Sequence, residues 1–242
     1  MNRLAIFVEG ETEQLFAQLF VREMANSHHL HVELREALGG RKSRRRTRIV
    51  EVVADDAEVK HYVLVVDCHG DGGVKSRIRE EYDRLVKAGY NAVIGMRDAP
   101  RRREGIPILR AELPSGIPTS PLAVVFVISI MEIEAWFLAE HSHFEKLDPN
   151  LTPELIQQNL GFRPGTDDMR ERDHPALDID SAYGLVGRRY QKGRAAQQTL
   201  YLLDYARIAF VMAEADDDIR SFVEVIQNFL DAGQGMSASA NT

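Results

Sequence analysis

The sequence predicts an α/β fold, a mostly parallel sheet flanked by helices, with a helical C-terminal part. Three observations predict it. Short apolar runs recur at about 3–8, 61–67, 91–97 and 122–130, each of strand length. Helical stretches separate the runs, and strands alternating with helices imply parallel pairing with both sheet faces covered. After residue 130 the strand pattern gives way to helical spacing.

The first strand ends at Glu9-Gly10 and a helix follows at about 12–26, with Leu15, Phe16, Leu19, Phe20 and Met24 at helical spacing. A strand is expected from Leu30 to Arg35, then a loop at Gly39-Gly40 and the basic residues after it, then a short strand or helix from Ile49 to Val53. His61 to Asp67 reads as a buried strand. Ser76 to Lys87 is amphipathic, with Ile78, Tyr82, Leu85 and Val86 on one side, and Ala88-Gly89 stops it. Five prolines between Pro100 and Pro121 mark a surface excursion outside the core. Helices are expected at 133–140, 153–160, 195–215 and 217–231, and a disordered polar tail at 233–242. The expected division is an α/β domain over 1–140, a mainly helical extension packed on it over 141–232, and the tail.

With 242 residues and 44% hydrophobic content, the chain can bury one large core or two modest ones. Its single cysteine, Cys68, excludes intrachain disulfides and Cys-based structural zinc, and fits a reducing cytoplasm. Leu4 to Val8 is too short for a signal-peptide core, and no apolar run approaches bilayer length. A cytoplasmic protein with no membrane partner is therefore expected.

Acid gathers where the predicted strands end. Glu9 follows the first strand, and Glu13 lies four residues on, so both can face one crevice. Asp67 ends the second buried run and leads into Cys68-His69-Gly70-Asp71; Asp98 ends the third, and Glu132 and Glu134 follow the fourth. Any one of these suits a turn Asp or a helix cap, and Glu11 and Glu13 also suit the positive end of a helix. Four strand exits carrying carboxylate on one sheet are harder to explain that way. Open α/β sheets bind ligands at the carboxyl ends of their strands. Converging hard oxygens suit Mg²⁺ or Mn²⁺ rather than zinc.

The net charge of −7 argues against a generally basic nucleic-acid binder, but the distribution is uneven. Arg41, Lys42, Arg44, Arg45, Arg46 and Arg48 crowd eight residues; Arg101, Arg102 and Arg103 form a second cluster; Arg188, Arg189, Lys192 and Arg194 form a third. Basic segments around an acidic centre suit a phosphodiester substrate, held by cations while metal takes the scissile phosphate. A solvated charged surface, or contact with an acidic protein, is the other reading of such runs.

Rival chemistries fit less well. The Gly turns lack Walker or dinucleotide spacing. A phosphatase nucleophile at Asp67 would want a second Asp at 69, where His69 stands. Cys68 and His69 are adjacent in an extended turn and point apart. Two-carboxylate glycosidase chemistry gives no reason for six carboxylates.

VEGETE after the first strand, an Asp closing a middle strand and MEIEAWFLAE after a later one resemble a TOPRIM-type domain. The similarity is to small TOPRIM-like proteins of uncharacterised function related to the OLD nucleases, often encoded beside ATPases in bacterial defence gene clusters. It covers about residues 3–140, with a weaker echo at Tyr183 to Lys192. The resemblance implies a TOPRIM-like sheet, with Glu9 as the family's glutamate, Glu13 as a further metal ligand and Asp67 as the first Asp of a DxD motif. His69 replaces the second Asp, and Asp71 or Asp98 would substitute for it. Glu132 and Glu134 would complete a second metal site, and Lys192 would be the distal catalytic lysine. Catalysis would thus rest on Glu9, Asp67 and Lys192 with Mg²⁺ or Mn²⁺. The implied function is a metal-dependent nuclease in phage or plasmid defence, acting on DNA in preference to RNA. The alternative is a non-catalytic or partner-activated subunit that binds a separate ATPase. Strand transfer or primase-like synthesis would need a nucleophilic Tyr at the site, for which Tyr62 and Tyr90 stay open, or a nucleotide-gripping helix. Trp136 is expected to be buried rather than to stack on a base. His28, His29 and His31 are read as surface.

Overall fold

The structure, a computed structural model, describes residues 1–26, 29–40, 43–54, 59–70, 72–99 and 103–232, with the backbone alone for 40, 43–45 and 103. Six strands, β1 (Asn2–Val8), β2 (Leu30–Gly40), β3 (Ser43–Ala54), β4 (His61–Asp67), β5 (Ala92–Asp98) and β6 (Ala123–Ser129), make one sheet in the order β3-β2-β4-β1-β5-β6. Every pairing is parallel except β2 with β3. The expected α/β class is therefore the observed one.

Strand alternation divides the core. Leu4, Ile6 and Val8 of β1 and Val63 and Val65 of β4 face one layer, while Ala5, Phe7, Leu64 and Val66 face the other. The second layer is closed by α2 (Gly73–Lys87) through Val74, Ile78, Tyr82 and Leu85. The first is closed by α1 (Glu11–Met24) and the helices after β6, so sheet and C-terminal part share one hydrophobic cluster. Phe16 of α1 sits at its centre, with ring centroids 5.7 Å from Phe137, 5.9 Å from Trp136 and Tyr205, and 6.1 Å from Phe222. Gln14 ties α1 to the sheet edge, its Nε2 donating to the carbonyls of Arg35 (2.7 Å) and Val65 (3.0 Å).

Of the segment expected as a loop, residues 39–40 and 43–48 are instead strand, and 41–42 lie outside the described residues. β2 runs through Gly40, and Ser43 begins a β3 of 12 residues, because the two pair antiparallel from His31↔Ala54 to Gly40↔Ser43. β4 stops at Asp67, opposite Glu36, so Ala37 to Gly40 and their partners continue past the carboxyl edge of the sheet as a free hairpin. Cross-strand charge supports it: Arg48 pairs with Glu36 directly opposite.

The proline-rich segment is likewise not wholly outside the core. Ile106–Glu112 forms a helix, α3, with Pro107 in its first turn, and buries Leu109 and Leu113 against Ala99 and Ile128. Its Arg110 then pairs with Asp218, a long-range partner that local spacing cannot reveal. After β6 come α4 (Glu134–Ala139), α5 (Ser142–Leu147), α6 (Pro153–Leu160), α7 (Pro175–Gly184) and α8 (Gln197–Leu202). The helix expected over 195–215 is broken at Leu203-Asp204, where Asp204 caps a new start, and continues through a π-turn at Ile208–Met212. The last helix, Asp217–Asp231, is capped by Asp216, whose carboxylate accepts from the amides of Asp218 (2.9 Å) and Ile219 (3.1 Å). No helix among the described residues is long and apolar enough to cross a membrane. The expected tail, 233–242, lies outside the described residues.

Asp218 joins the last helix to both β6 and α3: it is buried, and its Oδ1 accepts from the Ile128 amide at 2.9 Å and from Arg110 at 3.1 Å. Asp218→Ala strands a buried strand amide and should cost about 2–3 kcal/mol in urea unfolding. Arg110→Ala should cost under about 1 kcal/mol, because the arginine is half exposed. Equal losses would show that the ion pair, not the amide, carries the contact.

Candidate functional site

Glu9 leaves β1 at the carboxyl edge of the sheet, and its turn is locked to the exit of β4: the Cys68 amide donates to Val8 O (2.9 Å) and the Gly70 amide to Glu9 O (2.8 Å). Glu9 Oε1 lies 3.3 Å from Arg97 Nε, at the end of β5. Gly10 then lets α1 start close by. A Cβ at Gly10 would come within 3.2 Å of Glu13 Oε2, so a side chain there would crowd the carboxylate.

Glu13, in the first turn of α1, is buried, and its pKa is raised to about 7 by burial first, then by the charges of Glu134 and Asp67, against the opposing pull of its own backbone N–H and of Lys192. Asp98, at the end of β5, is pushed well above the usual carboxylate range by burial and by Glu13, Glu9 and Glu134. Its Oδ1 is enclosed and has no hydrogen-bond partner among the described residues. Glu134 opens α4 and is fully buried; burial raises its pKa, while Lys192 and Tyr190 lower it. Tyr190 Oη donates to its Oε1 at 2.8 Å, and Lys192 Nζ lies 3.2 Å from its Oε2.

Lys192 is the cation of this cluster. Its Nζ also reaches Glu132 Oε1 at 2.8 Å, and Glu134 and Glu132 hold the lysine firmly in its charged form despite burial. The turn that carries it is fastened to the start of α1. The Gly193 amide donates to Thr12 Oγ1 (2.7 Å) and the Arg194 amide to Glu11 Oε2 (3.0 Å). Gly193 needs to be glycine here: its φ is +73°, and a Cβ would sit 3.1 Å from Glu11 Oε2. Glu11 thus holds the lysine turn as well as complementing the helix end. Glu132 Oε2 accepts from the Ala176 amide (3.1 Å), and a recess of about 320 Å³ opens beside Glu132, Tyr190 and Lys192.

Asp67 belongs to a second, neighbouring group. Its Oδ1 accepts from the His69 amide (2.8 Å), and His69 Nδ1 stands 3.4 Å from Oδ2, with Nε2 3.7 Å from Glu36. Burial raises the Asp67 pKa, opposed by His69. His69 itself adopts φ +54°, a left-handed conformation, in the turn whose amide bonds Asp67.

The structure therefore brings Glu13, Asp98, Glu134, Glu132 and Lys192 to one crevice, with Glu9 and Asp67 at its rim through the shared turns. Among the described residues no three His, Cys, Asp or Glu side chains stand close enough, as placed, to hold a metal ion. Asp71 lies outside the described residues, as do Arg41, Lys42, Arg101 and Arg102; for Arg44, Arg45 and Arg103 the backbone alone is described. Arg46 is exposed on the hairpin, and Arg48 is paired with Glu36. In the third basic cluster Arg189 pairs with Asp180 at 3.1 Å and Arg194 with Glu51 at 3.3 Å, so these charges serve the fold. Tyr62 bonds Glu33 (2.8 Å), an engaged hydroxyl remote from Glu134. Trp136 is buried, as its position after an acidic pair on an apolar helix suggests.

Sequence reading missed Thr12, Tyr190, Arg97 and Glu36. A hydroxyl in the first turn of VEGETE was a readable sign for Thr12, and Arg97 adjoins Asp98; Tyr190 and Glu36 reach the site only through the fold. No protein-family model, no curated protein and no solved structure matches this chain.

Glu13 yields a pH test. Its folded pKa of about 7 exceeds the unfolded 4.5, so the fold favours the protonated form, and stability falls as pH rises through that window. In chelator the melting temperature should drop between these pH values by the equivalent of at most about 3 kcal/mol, and Glu13→Gln should flatten the profile. A slope unchanged in Glu13→Gln would assign the titration to another group.

Proposed function

We propose that this chain is a Mg²⁺- or Mn²⁺-dependent nuclease with a TOPRIM-like carboxylate site, cleaving DNA in preference to RNA and serving in phage or plasmid defence. One observation carries the reading. Burial and neighbouring carboxylates raise the pKa of Glu13, Asp98 and Glu134 at the carboxyl edge of a parallel sheet, Glu134 acting on Glu13, both of them acting on Asp98 and Glu132 acting on Glu134, with one ammonium among them. Such a cluster is relieved by a divalent cation, and its donors are the hard oxygens that Mg²⁺ and Mn²⁺ take. Glu9, Glu13, Asp98 and Glu134 would hold the ion, with Asp67 beside them. When bound, the ion would supply charge to the scissile phosphate and lower the pKa of a water. Lys192, fixed by its turn, adds a positive charge in the same crevice. Without the ion Glu13 is held half protonated near neutrality, so taking up the ion would release a proton from it. The β2–β3 hairpin extends past the sheet edge on the side where Asp67 ends β4, a position from which its arginines would hold the flanking backbone.

A second reading is a partner-activated effector subunit, its partner an ATPase. Two features favour it: His69 stands where a second Asp would be, and Lys192 already occupies oxygens of Glu132 and Glu134.

Supercoiled plasmid and labelled RNA, incubated with Mg²⁺ or Mn²⁺, test both. The nuclease reading expects metal-dependent cutting that falls by roughly 100-fold or more in Glu9→Gln and in Glu134→Gln. Cutting that survives both variants would remove these carboxylates from the reaction. A folded wild-type chain that cuts neither substrate would favour the effector.

A further inference from the structure

Glu132 and Glu134 each have one oxygen tied into the protein. Glu134 Oε1 accepts from Tyr190 Oη at 2.8 Å, and Glu132 Oε2 accepts from the Ala176 amide at 3.1 Å. The other two oxygens, Glu132 Oε1 and Glu134 Oε2, both meet Lys192 Nζ, at 2.8 Å and 3.2 Å. The oxygens that the fold leaves over for a ligand are thus the two that the lysine holds. Mg²⁺ binds carboxylate oxygen at about 2.1 Å, so an ion shared by this pair would stand almost where the ammonium stands. Two cations cannot occupy that position together.

The lysine's hold is loose in two respects. Glu134 Oε2 has no donor in hydrogen-bonding geometry among the described residues, so Lys192 meets it by charge alone. The Lys192 side chain is 45% exposed on a flexible four-carbon stem, so its ammonium can swing without unpacking the core. The recess of about 320 Å³ beside it, walled by Ala176, Leu177, Tyr190 and Gln191, has room for the displaced stem. The backbone of the turn stays where it is, because Thr12 and Glu11 accept from the Gly193 and Arg194 amides. As placed, no three His, Cys, Asp or Glu side chains among the described residues can hold a metal ion, so taking one up requires a change in this cluster. Withdrawal of Lys192 clears two oxygens at once and breaks no backbone hydrogen bond.

We propose that Lys192 is a tethered counter-ion, an autoinhibitory contact that a divalent cation must displace from Glu132 and Glu134. Without metal the ammonium offsets the crowded carboxylates; with metal Lys192 gives up both oxygens and turns into the recess. The inference rests on the metal-dependent reading above and adds a threshold to it. The ion has to compete with a cation that the chain itself supplies, so the crevice loads only when the ion is concentrated enough to win.

The amine of Lys192 reports on its own position. Lysines of the full wild-type chain would be methylated with formaldehyde and dimethylamine–borane, with and without Mg²⁺, and read by peptide mass spectrometry. Lys87, exposed on α2, is the internal reference. Without metal Lys192 should react roughly tenfold or more slowly than Lys87, because two carboxylates hold its ammonium. With Mg²⁺ it should recover most of that factor while Lys87 does not change. Melting curves over a Mg²⁺ titration give a second readout. Lys192→Met should lower the midpoint Mg²⁺ concentration by roughly tenfold or more, and Lys192→Arg, which keeps the charge, should stay near the wild type. A melting temperature that rises with Mg²⁺ while Lys192 stays protected overturns the displacement and leaves the metal reading standing, as does a Lys192→Met chain that binds no more tightly. A wild-type melting temperature that neither Mg²⁺ nor Mn²⁺ moves overturns both. The methylation arm needs no variant, so it decides the matter even if Lys192→Met does not fold.

Discussion

The organising constraint is a set of carboxylates taken out of water at one edge of a sheet. Glu13, Asp98 and Glu134 each lose hydration first and stand near other carboxylates second, so each is held above the ordinary carboxylate pKa. Lys192 offsets part of that cost, and much of the local architecture exists to hold it in place. Thr12 and Glu11 fasten its turn to α1, Gly193 permits the close approach, and Tyr190, next but one in sequence, bonds the buried Glu134. Elements distant in the chain, the start of α1 and the turn before α8, are thereby bound into one electrostatic unit.

That unit explains how the C-terminal helices relate to the sheet. They do more than cover an apolar face. They supply the crevice with its cation and the buried Glu134 with its hydrogen bond, while Phe16, Trp136, Phe137, Tyr205 and Phe222 form the aromatic core beneath. α4 stands between two environments, the acidic crevice on the Glu134 side and a cavity of about 330 Å³ walled by Trp136, Met212 and Ile219 on the other.

Basic residues likewise divide by partner. Arg189 and Arg194 are spent on Asp180 and on Glu51, and Arg48 on Glu36, so charge density in the sequence overstates what is free to meet a phosphate. The hairpin that carries Arg44 to Arg48 is set by a long antiparallel register, which carries it past the last residue of β4.

The chain by itself determined the parallel strands, the acid at the exits of four of them, the amphipathic α2 and the burial of Trp136, because apolar periodicity and turn chemistry are local properties. It did not reveal the β2–β3 hairpin: a run of arginines reads as a loop until Glu36 is placed opposite Arg48. Nor did it reveal α3, whose buried Leu109 and Leu113 need Ile128 to pack on, or the break at Leu203-Asp204. Which carboxylates share the crevice was likewise a tertiary decision. Glu134 and Lys192 are 58 residues apart, and Thr12 and Gly193 are 181 apart. Such pairs meet only when the C-terminal helices close over the sheet, because an electrostatic partner is chosen by distance in space, which sequence spacing does not encode.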